Sequence, residues 1–269
     1  MLIFSKFQII KDKNVLYLKY FLNLQKNRTM NELLKSKVGE LVAKDYRKAT
    51  VFKKYGIDFC CGGGRTVEEA CAKKGIDSNK LLQELIDVEK AEEKAENFDE
   101  WTLSALIDYI VRKHHKYTEE NIGPVMEFAG KVAKVHGNAN PEVVEINELF
   151  KKMAEELVVH MRKEELMLFP YIKNLEKAVV EGLEKPVAIF GTVRNPIEVM
   201  IKDHDDSGEI MEKINRLSNG YQPPAHACNT YRVLYAKLNE FENKLHEHVH
   251  LENNILFPKA IKLEQNFDY

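Results

Sequence analysis

The sequence predicts an all-α protein in which a small helical domain precedes a four-helix bundle. Three observations support this fold class. Gly and Pro are sparse, with 13 and 8 among 269 residues, and long stretches are rich in Leu, Glu, Lys and Ala, which favour helices. Apolar residues recur at helical spacing in four long stretches after residue 98. Two of those stretches also share a sequence repeat, described below.

The composition excludes several classes of protein. The chain is 44% hydrophobic and 30% charged, with a net charge of −2, so there is no electrostatic reason to expect nucleic acid or an anionic membrane as a partner. No stretch approaches the roughly 20 apolar residues of a membrane helix. Four cysteines, two of them adjacent, are unlike the disulfide framework of a secreted protein and indicate a reducing, cytoplasmic compartment.

The first two regions of the chain differ in their patterns. Residues 1–29 mix lysines with apolar residues but lack the core and cleavage site of a signal peptide. We interpret them as an extension, either a disordered tail or a mis-called upstream start. Residues 30–97 are predicted to form a small helical cysteine-pair domain. There NELLKSKVGELVAKD has helical spacing, DFCCGGGR is a turn, and Thr66 with Glu69 forms a capping box.

Residues 98–269 are predicted to form the four-helix bundle. The pattern places long helices at 101–122, 141–175, 190–217 and 227–264. The breaks between or within them contain Gly or Pro and fall at Gly123-Pro124, Asn138–Pro141, Gly182–Pro186 and Gly220–Pro224. Four amphipathic helices with such connections are typical of an up-down bundle.

The second and fourth of these helices share a repeat. His160 is followed by Glu164 at position +4, and by Leu, Phe and Pro at positions +8, +9 and +10. His248 is followed by Glu252 and by the same three residue types at the same offsets. Four matching offsets in two separate helices indicate a duplicated two-helix unit.

A further histidine precedes each copy of the repeat at a similar distance: His114 before His160, and His204 before His248. Residues at i and i+4 share one face of a helix, so these side chains can converge in the bundle interior. Imidazoles and carboxylates without thiolates disfavour a structural zinc site and suit iron or manganese, and carboxylates can bridge two ions. We therefore predict two non-haem metal ions, either iron or manganese, held by His114, His160, Glu164, His204, His248 and Glu252. A bridging oxo or hydroxo group would supply part of their coordination and leave room for a small diatomic.

The choice between the neighbours His114 and His115 depends on helix geometry, because adjacent residues point about 100° apart. Counting back by the spacing of the second half does not decide between them. We prefer His114 because Ile107, Ile110 and Val111 share its face.

Other histidines and cysteines have simpler interpretations. His246 and His250 flank His248 at two residues on either side, which is the opposite side of a helix. We expect them to face solvent or to lie behind the ligands. Cys71 and Cys228 are expected to be buried small residues.

These motifs resemble the hemerythrin-like superfamily, in which helical His and His-x-x-x-Glu elements bind a di-iron centre. The match is closer to the iron-sulfur cluster repair di-iron proteins, because YGIDFCCGGGRTVEEAC precedes a bundle with HMRKEELMLFP, IKDHDDSGE and HLENNILFP. The resemblance covers residues 30–261. It implies that the six residues above are iron ligands, and at VRKH it supports His114. It also implies that Glu156 and Asp203 are acids near the centre, on a path for iron.

The resemblance further implies a function. It identifies a stress-response protein that repairs iron-sulfur clusters damaged by nitrosative or oxidative chemistry, by supplying iron. Its expected partners are damaged iron-sulfur proteins and small diatomics such as nitric oxide or dioxygen, and it is expected to be a monomer or a homodimer. Cys60 and Cys61, adjacent thiols close to a helix start, are suited to act as redox or docking thiols.

Two alternatives remain open at this stage. Open coordination positions permit an enzyme that reduces nitric oxide or peroxide, although the sequence contains no electron-donor domain; whether the protein is a turnover enzyme is undecided. The bundle is also compatible with a module that binds or senses dioxygen or nitric oxide. We rank that last, because only about 65 regularly patterned residues lie outside the bundle and none form a recognisable output domain.

Overall fold

The computed structural model describes residues 30–89 and 97–267, so the interpretation of residues 1–29 lies outside the described residues. Within these ranges the secondary structure is helical, apart from an isolated bridge between Lys37 and Thr66. The predicted all-α class is confirmed. The chain divides into two compact units, one formed by residues 30–58 and 62–89, the other by residues 59–61 and 97–267. The tripeptide Phe59–Cys61 therefore belongs to the same unit as the bundle.

The smaller unit consists of a helical stretch at 30–35 and four helices: α1 (Val38–Lys44), α2 (Lys48–Lys54), α3 (Val67–Lys74) and α4 (Ser78–Glu89). Thr66 caps α3, since its hydroxyl accepts from the Glu69 amide at 3.2 Å while the Glu69 carboxylate accepts from the Thr66 amide at 2.8 Å. The predicted capping box is thus present. The core is formed by fully buried apolar residues: Val38, Phe52, Val67, Leu81, Leu82 and Leu85.

The larger unit contains four long helices at residues 103–136, 142–181, 194–217 and 229–264. The first consists of α5 (Leu103–Ile110) and α6 (Lys116–His136), and the second of α7 (Glu142–Lys163) and α8 (Phe169–Glu181). The third is α9 (Arg194–Leu217), and the fourth consists of α10 (Asn229–Leu251) and α11 (Phe257–Glu264). Across the described residues, no helix combines the length and the apolarity needed to cross a membrane.

The long helices pack side by side around one core. The first helix contacts the second and the fourth, and the second also contacts the third. At the middle of this core, Phe150 and Phe241 meet edge to face with ring centroids 5.2 Å apart, and both are at most 1% exposed. Burial of this apolar interior is the main favourable term that holds the bundle together.

The first long helix differs from its prediction, because it continues through Gly123-Pro124 to His136. A proline inside a helix removes one backbone hydrogen bond and strains the preceding turn. Here Val125, Ala129 and Val132, each 1% exposed, keep one face of the helix buried beyond the proline. Tertiary packing of that face therefore outweighs the local signal for a break.

Three of the four long helices are interrupted by a π-helical turn: Val111–His115, Glu164–Leu168 and Glu252–Leu256. Pro170 and Pro258 lie two residues after the second and third of these turns. Each proline lacks the amide that would donate to the residue four positions earlier, inside the π turn, and π turns accommodate such a lost bond by widening the helix. The Phe-Pro pairs of the repeat are therefore associated with a local change of winding next to each His-x-x-x-Glu motif.

Candidate metal centre

Buried histidines and glutamates from all four long helices converge at the π turns. They form two groups, and within each group one ligand atom per residue lies within 4.8 Å of the others. Both groups contain Glu164 and Glu252. The first group is completed by His115 and His248, and the second by His160 and His204. All six residues are at most 2% exposed.

The spacing of the ring nitrogens fits a bound cation. Two nitrogens at right angles, each about 2.1 Å from one metal ion, are about 3 Å apart. The Nε2 atoms of His160 and His204 are 3.0 Å apart, and those of His115 and His248 are 3.2 Å apart. Each group thus presents a pair of imidazoles at the separation of neighbouring ligands on one ion.

The two shared carboxylates connect the groups. Glu252 lies with Oε1 3.0 Å from the His248 Nε2 and with Oε2 3.1 Å from the His204 Nε2, so its two oxygens face different groups. Both oxygens of Glu164 are buried and neither accepts a well-formed hydrogen bond from a described residue, although Oε2 lies 3.4 Å from the His115 Nε2 and 3.3 Å from the His160 Nε2. Unsatisfied carboxylate oxygens at this depth are costly, and a cation is the partner that this set of donors fits.

The pKa shifts of the buried groups indicate that the carboxylates of Glu164 and Glu252 stabilise positive charge on their neighbours. Burial opposes the charged form of His115, but its contacts with Glu164 and Glu252 outweigh burial and raise its pKa to about 10. Burial likewise opposes protonation of His160, yet the Glu164 charge and contacts with Asp203 raise its pKa to about 10. The pKa of Glu252 lies well below its usual value, because the surrounding histidines outweigh burial.

His114, the residue preferred from the sequence, is not in either group; His115 takes that place. The π turn over Val111–His115 adds a residue to the turn, so the position reached by residue 114 on a regular helix is reached by residue 115. His114 stacks on His248 instead, with centroids 5.7 Å apart and planes at 13°. Both of its ring nitrogens are buried without a hydrogen-bond partner among the described residues, and burial lowers its pKa to about 3.

The two acids that the resemblance placed near the centre lie in different surroundings. Asp203 accepts from the Nδ1 of His160 at 3.4 Å and from the Lys163 ammonium at 3.3 Å, so it adjoins the second group. Glu156 lies at the surface, 48% exposed, and pairs with Lys152 at 3.8 Å. No contact connects Glu156 to the histidines in the described part of the chain.

Two polar residues that were not predicted from the sequence, Glu165 and Asn253, contact the groups from outside. The Glu165 carboxylate lies 2.6 Å from the His115 Nδ1, and the Asn253 carboxamide oxygen lies 2.8 Å from the His204 Nδ1. Each directly follows a glutamate of the repeat. The signal available in the sequence was therefore a polar residue at position +5 in both copies.

The Cys60-Cys61 pair lies beside the fourth helix. Asn254 donates to the Phe59 carbonyl at 3.3 Å and to the Cys60 carbonyl at 3.1 Å. A Cβ added to Gly208 would lie 3.7 Å from the Cys61 Sγ, so this thiol sits against α9. Cys60 is buried, Cys61 is half-buried, and neither is in a disulfide.

The remaining predictions for histidines and cysteines are partly corrected. Cys71 is buried as expected, but Cys228 is exposed and lies 3.3 Å from the His136 Nε2. His250 is fully buried, with its ring edge-to-face on Phe59 at 5.8 Å. It lies on the same helix as His248 and does not face solvent.

Comparisons with known proteins fit this arrangement. Residues 106–260 match the hemerythrin HHE cation binding domain, and residues 34–89 match a domain of unknown function, DUF542. The iron-sulfur cluster repair protein ScdA of Staphylococcus haemolyticus is 33% identical over 222 residues, which cover 82% of this chain and 96% of that protein. The iron-sulfur cluster repair protein YtfE of Musicola paradisiaca is 34% identical over 227 residues, covering 84% and 96%. A probable iron-sulfur cluster repair protein of Haemophilus influenzae is 34% identical over 229 residues, covering 84% and 96%.

Proposed function

Because the chain belongs to the iron-sulfur cluster repair proteins and carries their hemerythrin HHE cation binding domain, we propose that it is a non-haem di-iron protein that repairs damaged iron-sulfur clusters by supplying iron. The observation that carries the proposal is the pair of buried His/Glu groups that share Glu164 and Glu252. Bound there, two irons would be both a redox centre and a store of iron for transfer.

The protein's own residues have separable tasks in this proposal. His115 and His248 would hold one ion, His160 and His204 would hold the other, and Glu164 and Glu252 belong to both groups. Their burial, at most 2% exposed, would keep bulk water and large chelators away from the ions. Nitrogen and oxygen donors without thiolate favour iron or manganese over structural zinc.

Metal analysis tests the centre itself. The protein is purified anaerobically and its iron counted, with Mössbauer spectra, alongside His160→Ala and His248→Ala variants. We expect about two irons per chain and a loss of coupled iron in both variants. One iron or none in the unaltered protein, or variants that retain the full content, would contradict a di-iron centre.

Iron supply is tested with a second protein. The iron-loaded protein is mixed with an apo iron-sulfur protein, sulfide and a thiol reductant, and cluster assembly is followed by its absorbance. We expect the acceptor's cluster to form at the expense of the iron in the bundle. If the acceptor forms no cluster while the bundle retains its iron, the proposed repair function is wrong, although the di-iron centre itself is not contradicted.

Reduction of a small molecule is the second candidate activity, and the depth of the centre favours it. Six side chains do not saturate two six-coordinate ions, and a buried site admits diatomics more readily than larger substrates. Continued consumption of nitric oxide with a reductant present, over many equivalents per chain, would support this activity. Consumption that stops after one equivalent would exclude it.

We also propose that Cys60 and Cys61 contact the client or accept iron on its way out. The supporting observation is the position of Cys61 against Gly208, which is one helical turn, about 5.4 Å, beyond His204 on α9. In the transfer assay, Cys60→Ser/Cys61→Ser should bind two irons but deliver them more slowly, whereas Cys228→Ser, a matched thiol elsewhere on the bundle, should behave normally. Full transfer by the double variant would remove both cysteines from the function.

A further inference from the structure

The four histidines of the two groups all point Nε2 inward, so each has its Nδ1 available for a partner behind it. Such partners orient metal-binding imidazoles, and their loss typically costs 10–100-fold in affinity. Three of the histidines have one. Glu165 lies behind His115 at 2.6 Å, Asn253 behind His204 at 2.8 Å, and Asp203 behind His160 at 3.4 Å.

His248 is the exception. Its Nδ1 is buried and has no hydrogen-bond partner among the residues that the structure describes. The support is therefore uneven between the groups. Both histidines of the His160/His204 group are backed by a polar side chain, whereas in the His115/His248 group only His115 is backed.

Glu165 and Asn253 occupy the same position in the two copies of the repeat, yet one is a carboxylate and the other an amide. A carboxylate behind an imidazole strengthens the imidazole's donation to a metal more than a neutral amide does. The His115/His248 group thus depends on the single carboxylate of Glu165, whereas the His160/His204 group is backed by both Asp203 and Asn253.

The His115/His248 group also lies next to a surface cavity. Glu165 is 38% exposed and lines a surface cavity of about 480 Å³ together with Ile107, Val111 and Phe169. Phe169 stacks on the His115 ring with centroids 5.6 Å apart. Two of the side chains that line the cavity, Glu165 and Phe169, therefore also contact His115.

From this asymmetry we propose that the two ion positions are inequivalent. The ion of the His115/His248 group leaves first, on the side of the cavity, and Glu165 is the positioning residue that determines how tightly this ion is held. The inference rests on the proposed di-iron centre and deepens it, because it identifies which of the two irons is supplied first.

Release of iron to a strong ferrous chelator, followed by stopped flow on the full-length iron-loaded protein, tests the inference. We expect two phases of equal amplitude in the unaltered protein. Glu165→Gln keeps the shape and removes the charge, and should speed the fast phase by about tenfold or more while leaving the slow phase unchanged. Asn253→Leu should speed only the slow phase. Glu155→Gln, an exposed carboxylate on the second long helix, should change neither.

A measurement on the unaltered protein keeps the inference testable if a variant misfolds. With ⁵⁷Fe, Mössbauer spectra should contain two doublets, and removal of the first iron should deplete one of them selectively. Two irons that leave in a single phase with equal depletion, or a fast phase that responds to Asn253→Leu and not to Glu165→Gln, would overturn the inference and leave the di-iron centre intact. Fewer than two irons at the start would instead overturn the proposed function.

Discussion

Glu164 and Glu252 are the residues at which the bundle departs most from an ordinary apolar core. Both are 0% exposed, and a buried carboxylate is tolerated only when it is paired, protonated or bound to a metal. Histidines alone balance them at the cost of protonating His115 and His160, whose pKa values rise to about 10. Bound cations would supply the same positive charge and would leave the imidazoles neutral as ligands.

Substitution of His115 and of His114 should affect the iron content differently. His115→Ala should lower the iron content toward one per chain, because it removes one of two imidazoles from its group. His114→Ala should retain about two irons, since His114 only stacks on His248. Iron analysis with circular dichroism as a folding check measures both. The reverse pattern would mean that the π turn winds differently in the iron-bound protein.

Asn254 donates hydrogen bonds to the carbonyls of Phe59 and Cys60, and we expect these bonds to limit access to the Cys60 thiol. Asn254→Ala removes both hydrogen bonds, so Cys60, now 5% exposed, should react several-fold faster with a thiol reagent. Labelling rates are read by mass spectrometry, with the buried Cys71 as an internal reference. Asn121→Ala, which removes a bond only within its own helix, should leave the rate at Cys60 unchanged.

At the scale of single elements, the π turns are the features that matter for the site. An ordinary helix of the same sequence would present one histidine of the pair 114–115 to the interior, whereas both are at most 2% exposed here. Two of the turns precede a Phe-Pro pair, and that signal was available in the repeat. The turn at Val111–His115 has no such proline, so its winding could not be inferred from local sequence.

The connection between the second and third long helices is held by one carboxylate. Glu264 on α11 accepts from Thr192 Oγ1 at 2.8 Å, from the Val193 amide at 3.1 Å and from the Tyr171 hydroxyl at 2.8 Å. Lys185 also lies 3.5 Å away. Burial raises the pKa of Glu264, but these donors outweigh it and hold the pKa below its usual value of 4.5.

This shift makes the contribution of Glu264 to stability dependent on pH. A lowered pKa in the folded state stabilises the protein above the unfolded value and loses that effect as pH falls through the folded pKa. In the metal-free protein, Glu264→Gln should lower the free energy of unfolding by about 2 kcal/mol at pH 7, and by less as pH falls below about 4.5. Urea titrations across this range measure it, with Glu155→Gln as the control. A destabilisation by Glu264→Gln that does not vary with pH would mean that the loss of an acceptor oxygen, and not of the charge, matters at this position.

At the scale of the whole molecule, the centre connects all four long helices, because each contributes at least one histidine. A ligand that binds only the folded state adds to its stability, by about 2.7 kcal/mol for one ion at a hundred times its dissociation constant. Metal bound at the two groups would therefore stabilise the bundle, and its loss would leave a less stable protein.

Calorimetry with and without a chelator checks that linkage. Removing the metal should lower the unfolding temperature of the bundle by several degrees, and adding Fe²⁺ back should restore it. The His160→Ala variant should unfold at a lower temperature before any chelator is added, and its unfolding temperature should change less when the chelator is present. An unfolding temperature that is the same with and without metal would show that the His/Glu groups do not bind it in the folded state.

The sequence by itself determined the helical class, the bundle and the His-x-x-x-Glu repeat, because helical periodicity and repeated spacing are local properties. Five of the six predicted ligand positions, His160, Glu164, His204, His248 and Glu252, lie together in the two groups. Only the tertiary structure placed His115, and not His114, in one of the groups, since the winding of one turn depends on what packs against it. It alone also placed Cys60 beside Asn254, residues 194 positions apart, because contacts at that separation arise from how the helices pack and leave no local pattern.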